Sequence, residues 1–294
     1  MDIVKTIIPL GGLATRFLPL SKVLPKEFWP LVEKPLIQYA VEELKNSGVT
    51  NIVFVVNSLN KDLIGEYFAS FPSLEKALEE QKREELLESL RKVEKLIQGL
   101  SFSFVAQTKP QGDGNAILLA KKYIGEDPCV VLYPDDVIAS DVPATLQLAK
   151  TFKTAQKPVL GLVSLPQEKL AAYGVVGAEK IATRLYKIKK LVEKPATPEA
   201  APSNLVSVGR RILTSEVFDY LKKAKPNKKG EVVLGEVLGE MAKDGKILYG
   251  YELEGKWLEC GEIKSWLYSF VRTTLLHPTY GKDIQKLLRS EKII

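Results

Sequence analysis

Residues 3–27 read IVKTIIPLGGLATRFLPLSKVLPKE. The opening of this run is rich in β-branched residues and poor in polar ones, which predicts a buried strand over 3–10, and Gly11-Gly12 ends it in a turn. Working outward, residues 35–47 predict a helix. Pro35 suits a first turn, Leu36, Ile37, Ala40, Val41 and Leu44 share one face, and Gly48 stands just past the end, where a left-handed residue is wanted. The run NIVFVV at 51–56 predicts a second strand. Strand, helix, strand is the rhythm of a βαβ unit, and it makes the chain an α/β protein.

Residues 61–98 break that rhythm. They combine many Glu, Lys and Arg with Leu74, Leu78, Leu86, Leu87, Leu90, Val93 and Leu96, which predicts a charged helical insertion of one or two amphipathic helices. Strands are expected again at 101–106 and 128–133, the latter running into Pro134-Asp135-Asp136, with a helix at 143–155. Short strands at 159–165, 173–177, 185–192 and 205–209, separated by turn residues, predict antiparallel pairing added to a mostly parallel central sheet flanked by helices. Helices at 214–224 and 231–243, a strand at 247–253 and C-terminal helices within 262–294 complete the expectation. No linker or internal repeat divides the chain, so residues 1–294 are expected to form one domain.

Composition narrows the function. The 294 residues are 45% hydrophobic, enough for a sizeable core, and the formal charge of +6 comes from lysines interleaved with Glu rather than gathered in a basic tail. That favours a small anionic ligand over nucleic acid or a membrane surface. Cys129 and Cys260 supply too few ligands for a disulfide framework or a cysteine zinc site, so a reducing, cytoplasmic compartment is expected. No stretch approaches the length of a membrane span. His277, the one histidine, sits beside Pro278 and is not expected to do chemistry.

The loop after the first strand carries the chemistry. Glycines let backbone N–H groups approach anionic oxygens, and Arg16, Lys22 and Lys26 add positive charge at the strand end, where open α/β sheets bind phosphates. Neither G-x-G-x-x-G nor G-x-x-x-x-G-K-[ST] occurs here, which argues against a dehydrogenase and a P-loop ATPase. Taken alone, Gly-Gly is a tight turn and Asp135-Asp136 a turn or helix cap.

The whole run GGLATRFLPLSKVLPKEFWPLVEKPLIQYAVEEL at 11–44 resembles the N-terminal signature of the bacterial-type UTP:glucose-1-phosphate uridylyltransferases. QTKPQGDGNA at 107–116, LYPDD at 132–136, AYGVV at 172–176, VEKP at 192–195, APSNL at 201–205 and VGR at 208–210 follow in the order of that family. The resemblance implies a Rossmann-like nucleotide-diphosphosugar transferase fold. It also implies attack of glucose-1-phosphate on the α-phosphorus of UTP, with Mg²⁺ as cofactor and a homodimer or homotetramer as the assembly.

By the same resemblance, Gly11, Gly12, Glu27, Gln107 and Gly112 would bind the nucleotide, while Arg16, Lys26, Asp135 and Lys194 would be catalytic. Gly174, Glu193, Lys194, Asn204 and Gly209 would bind the sugar phosphate, and Asp135 with Glu259 would hold the metal. Ala14 departs from a family glycine, Asn115 from a common histidine, Glu259 from an aspartate, and residues 233–236 from a Gln-Leu-Thr-Asp-like stretch. A thymidylyltransferase or broader sugar-phosphate nucleotidylyltransferase, and a noncatalytic sugar-nucleotide-binding subunit, remain as alternatives.

Overall fold

The computed structural model describes residues 3–293. From β1 (Lys5–Pro9) the chain passes through short 3-10 turns to a ribbon of β2 (Pro30–Leu31) and β3 (Lys34–Pro35), then α1 (Leu36–Asn46) and β4 (Asn51–Val56). Helices α2 (Ser58–Phe68), α3 (Pro72–Glu80) and α4 (Glu84–Ile97) precede β5 (Ser101–Ala106), and α5 (Asp113–Leu119) and α6 (Lys121–Ile124) precede β6 (Cys129–Leu132), β7 (Asp136–Ala139) and α7 (Ala144–Ala155). The second half holds β8 (Val159–Ser164), β9 (Gly174–Ala182), β10 (Leu185–Glu193), β11 (Leu205–Leu213), α8 (Ser215–Lys223), α9 (Leu234–Lys243), β12 (Leu248–Glu252), β13 (Lys256–Glu259), α10 (Ile263–Leu275) and α11 (Gly281–Ser290).

One nine-stranded sheet runs in the order β5-β4-β1-β6-β11-β8-β12-β10-β9. From β5 to β6 every pairing is parallel, as helical crossovers require. Beyond β6 the pairings are antiparallel except β8 with β12, so the sheet is mixed with less parallel pairing than the sequence predicts. The reason is local: β9 and β10 are joined by a tight turn at Thr183-Arg184, too short for a crossover. Successive residues of the central strands face opposite sides. Ile8 and Phe54 enter a core beneath α1, α2 and α7, while Ile7 and Val53 enter one beneath α5, α8 and α9.

The insertion is smaller than expected. α2 belongs to the body, with Ile64 and Phe68 buried against the sheet; α3 buries no side chain, while α4 buries Leu87 and lays Val93, Leu96 and Ile97 against the same core. Helix α9 begins three residues later than predicted, because Val232 donates its N–H to the Gln111 carbonyl at 2.8 Å and accepts from Gly114 N–H at 2.9 Å. The ribbon of β7 and β13 was not anticipated; it pairs Asp136 with Glu259 and brings the chain's late residues back beside Asp135. No described helix is long and apolar enough to cross a membrane.

Candidate active site

Gly11 follows β1 and Gln107 follows β5, so both stand at carboxyl ends of the parallel half. A Cβ on Gly11 would fall 2.1 Å from Gln107 Oε1, which makes glycine the residue that fits. The Gln107 amide donates to Gly112 O and to Asn115 Oδ1, each at 3.0 Å, so Asn115 orients the side chain expected to read a base. Gly112 has φ +91°, and a Cβ there would lie 2.3 Å from Val232 O. Only glycine meets both demands.

A cleft of about 500 Å³ lies above these residues, with Gly11, Gly12, Lys26, Gln107 and Gly112 on one side and Glu193 and Lys194 on the other. A smaller cavity of about 220 Å³ adjoins it, sharing Asp113, Tyr133, Glu193 and Lys194 and adding Asp135, Asp136, Gly174, Gly209 and Arg211. Lys26 lines the first space and donates to Asp135 Oδ2, which lines the second. Glycines make room for Glu193: a Cβ on Gly174 or Gly235 would approach its Oε2 to 2.8 or 2.3 Å.

Four expected residues stand apart from the lining: Arg16, Glu27, Asn204 and Glu259. Arg16 is exposed on the turn Thr15–Phe17, at the rim beside Ala14 and Thr15, which do line the cleft. Glu27 is buried and accepts from the Asn60 amide, because consecutive residues of the 3-10 turn Lys26–Phe28 diverge and Lys26 takes the cleft side. Asn204 is exposed before β11 and donates to Ser164 Oγ at 2.8 Å.

Charge is balanced pairwise. Burial works to raise the Asp135 pKa, yet the Lys26 ammonium against it holds the carboxyl below its ordinary value. Burial likewise works to lower Lys26, and Asp135 overrides it, so both groups are ionised. Asp136 is pushed up to about 6 by burial and then by the Asp135 charge. It accepts from Gly209 N–H and from Trp257 Nε1, each at 2.7 Å, so it braces the floor. Burial also raises Glu193 and Glu259.

Asp135 and Glu259 both face the bare side of Gly261, where a Cβ would lie 3.4 Å from Asp135 Oδ2 and 3.8 Å from Glu259 Oε1. Among the described residues no cluster of three or more His, Cys, Asp or Glu side chains could hold a metal by itself. Two converging carboxylates suit a hard cation that takes its remaining ligands from phosphate and water.

Asp113, Tyr133 and Arg211 line these cavities and had no site role in the sequence reading. Asp113 accepts from Leu234 N–H at 3.0 Å and from Tyr133 Oη at 2.5 Å, tying α5, α9 and the end of β6 together. Arg211 lies over the Tyr133 ring at 5.5 Å. The readable signal for Arg211 was a pair of arginines inside the apolar run 205–213.

A glycine-lined cleft at the strand ends, with lysines facing paired carboxylates, is suited to a phosphorylated ligand and a hard cation, the equipment of nucleotidyl transfer. The nucleotidyl transferase family model matches residues 5–274. A UTP–glucose-1-phosphate uridylyltransferase of Bacillus subtilis (strain 168) is 34% identical over 284 residues, covering 97% of this chain and 94% of that protein. A UDP-glucose pyrophosphorylase solved with UDP-glucose superimposes with TM-score 0.80 at 35% identity, covering 91% of this chain and 97% of the other. The UTP-bound enzyme from Acinetobacter baumannii gives 0.86 at 30% identity, covering 97% and 98%. The chain belongs to the nucleotidyl transferase family, and its relatives there include bacterial UTP:glucose-1-phosphate uridylyltransferases.

Proposed function

We propose that this chain is a UTP:glucose-1-phosphate uridylyltransferase that acts as a single domain and forms UDP-glucose and pyrophosphate. The observation that carries the reading is the meeting of Lys26, Asp135, Glu193 and Lys194, far apart in sequence, around two adjoining cavities. A phosphate oxygen of glucose-1-phosphate attacks the UTP α-phosphorus, and the bond from that phosphorus to the pyrophosphate oxygen breaks. No protein nucleophile is needed, so the protein must align two polyanions and neutralise them.

The side chains divide that work. Gln107, held by Asn115, reads the uracil edge, and the bare backbone of Gly11, Gly12 and Gly112 lets the nucleoside approach. Lys26 meets the triphosphate, with Arg16 at the rim beside it to steady the leaving pyrophosphate. Glu193 accepts from sugar hydroxyls, Gly174 and Gly209 shape the hexose end, and Lys194 grips the sugar phosphate. Asp135 and Glu259 would hold Mg²⁺, which supplies charge neutralisation at the phosphates when bound. We place the protein in the cytoplasm as a homodimer or homotetramer.

The test is pyrophosphate release with UTP, dTTP, CTP, GTP and ATP crossed with glucose-, galactose- and N-acetylglucosamine-1-phosphate. UTP with glucose-1-phosphate should give the highest kcat/KM, and a chelator should abolish turnover until Mg²⁺ is returned. Asp135→Asn and Lys194→Ala should each lower kcat by about a hundredfold or more. Near-wild-type rates in both would remove the assignment, and preference for dTTP would change the nucleotide.

A further inference from the structure

Strand β11 is buried along its whole length, yet it carries two adjacent arginines. Neighbours on a strand face opposite sides of the sheet, so the two guanidiniums meet different surroundings. Arg210 has an acceptor for every guanidinium nitrogen. It donates to both oxygens of Glu43 at 2.8–3.1 Å, to Tyr133 O at 2.9 Å and to Gly209 O at 3.1 Å.

Arg211 is 8% exposed and much less engaged. Nε donates to Ser207 Oγ at 3.2 Å, and Nη1 makes a long contact of 3.5 Å with Tyr133 Oη. Among the described residues no carboxylate comes within ion-pair distance of it. Glu193 is paired with Lys194 at 3.9 Å, and Asp113 is taken by Tyr133 Oη and two backbone N–H groups. A guanidinium has five N–H donors, so most of this fork has no protein acceptor. Among the described residues no Arg211 nitrogen is both buried and unpartnered, so its free donors open onto a cavity, where a polar ligand can accept from them. Arg211 lines the smaller cavity, together with Glu193 and Gly174.

We infer that Arg211 is a specificity-determining residue at the sugar end of the cleft, where its guanidinium donates hydrogen bonds to hydroxyl oxygens of the hexose. The inference rests on the proposed uridylyltransferase reading and extends it to a residue that the resemblance did not assign. Glu193 accepts and Arg211 donates on the same wall, which is the pairing that reads hydroxyl groups, because each hydroxyl both donates and accepts. Asp113, Asp135, Asp136 and Glu193 surround this cavity against Arg211 and Lys194, so a neutral hexose suits it and an acidic sugar does not. Lys194, more exposed and lining both spaces, is left for the phosphate.

The experiment is a cycle between residue and substrate. Steady-state constants for UTP, glucose-1-phosphate and its 2-, 3-, 4- and 6-deoxy analogues are measured for the wild type, Arg211→Met and Arg211→Lys, with a thermal melt of each. Arg211→Met should raise the KM for glucose-1-phosphate by about tenfold to a hundredfold and leave the KM for UTP unchanged. The wild type should penalise one or two deoxy analogues, and in Arg211→Met those penalties should vanish while the others persist. Identical deoxy penalties in variant and wild type, or an equal loss toward UTP, would overturn the inference. If Arg211→Met fails to fold, the Arg211→Lys profile decides: a penalty changed at one position supports the assignment, and an unchanged profile refutes it. A wild type that turns over no hexose-1-phosphate would instead refute the uridylyltransferase reading, a distinct outcome.

Discussion

Lys26 and Glu27 are adjacent in the chain and opposite in environment. Lys26 is matched by Asp135, whereas Glu27 is buried against the Asn60 amide, and burial moves its pKa from 4.5 to about 7. The unfolded chain ionises this group near 4.5 and the folded chain near 7, so the stability it contributes is full below 4.5 and is lost as pH rises through 7. Glu27→Gln keeps the shape and cannot ionise. Its stability relative to the wild type should therefore rise by on the order of 3 kcal/mol between about pH 4 and pH 8, measured from urea midpoints. A difference that stays flat with pH would mean that Glu27 is solvated. Two residues at the cleft also hold strained backbone: Ala14 has φ 47° and Lys194 φ 46°, left-handed values that cost an L-residue about 1–2 kcal/mol. Lys194 is kept there by its N–H, which donates to Tyr173 O at 3.1 Å.

Among the elements, the α3–α4 pair is tied to the body through its end. Lys45 on α1 donates to the carbonyls of Lys95, Leu96 and Gln98 at 2.8, 2.7 and 3.1 Å, so one ammonium closes the C-terminus of α4. Lys45→Met should lower the local stability of α4 by about 1 kcal/mol, read as faster amide exchange over residues 92–98, with turnover unchanged. Unaltered exchange there would show that the packing of Val93, Leu96 and Ile97 on the core holds the helix end without Lys45. Elements of this kind also mark what the sequence disclosed. Strands 51–56 and 101–106 were legible to the residue because apolar runs bounded by turn residues leave little choice. α5 was hidden because Asp113-Gly114-Asn115 reads as a turn, and its helical role depends on Gly112 at φ +91°. The β7–β13 ribbon was hidden because each strand has four residues and its partner lies more than a hundred positions away. At the site, the glycine and lysine loop and the strand-end acids were legible as motifs. Asp113 and Arg211 were not, since their roles depend on which face of a strand or helix meets which loop.

At the scale of the whole molecule the cleft lies across a seam. Gly11, Lys26 and Gln107 come from the parallel half of the sheet, while Glu193 and Lys194 come from the antiparallel half, and β6 pairs with β11 between them. Arg210 of β11 is bound to Glu43 of α1, which also accepts from Thr145 of α7, so a buried ion pair fixes the seam's register. Such a pair adds little net stability and favours one arrangement. A ligand that spans a fixed seam gains from both halves at once, because the second contact is made at high effective concentration. UDP-glucose should therefore raise the Tm more than the summed shifts from UMP and glucose-1-phosphate at the same concentration, with a full shift on the order of 5 °C near a hundredfold Kd. Lys194→Ala should lose the glucose-1-phosphate shift and keep that of UMP, whereas Gly11→Ala should do the reverse. Variants that lose both shifts together, or a UDP-glucose shift no larger than that of UMP, would place the ligand within one half and break the argument that the two halves form one site.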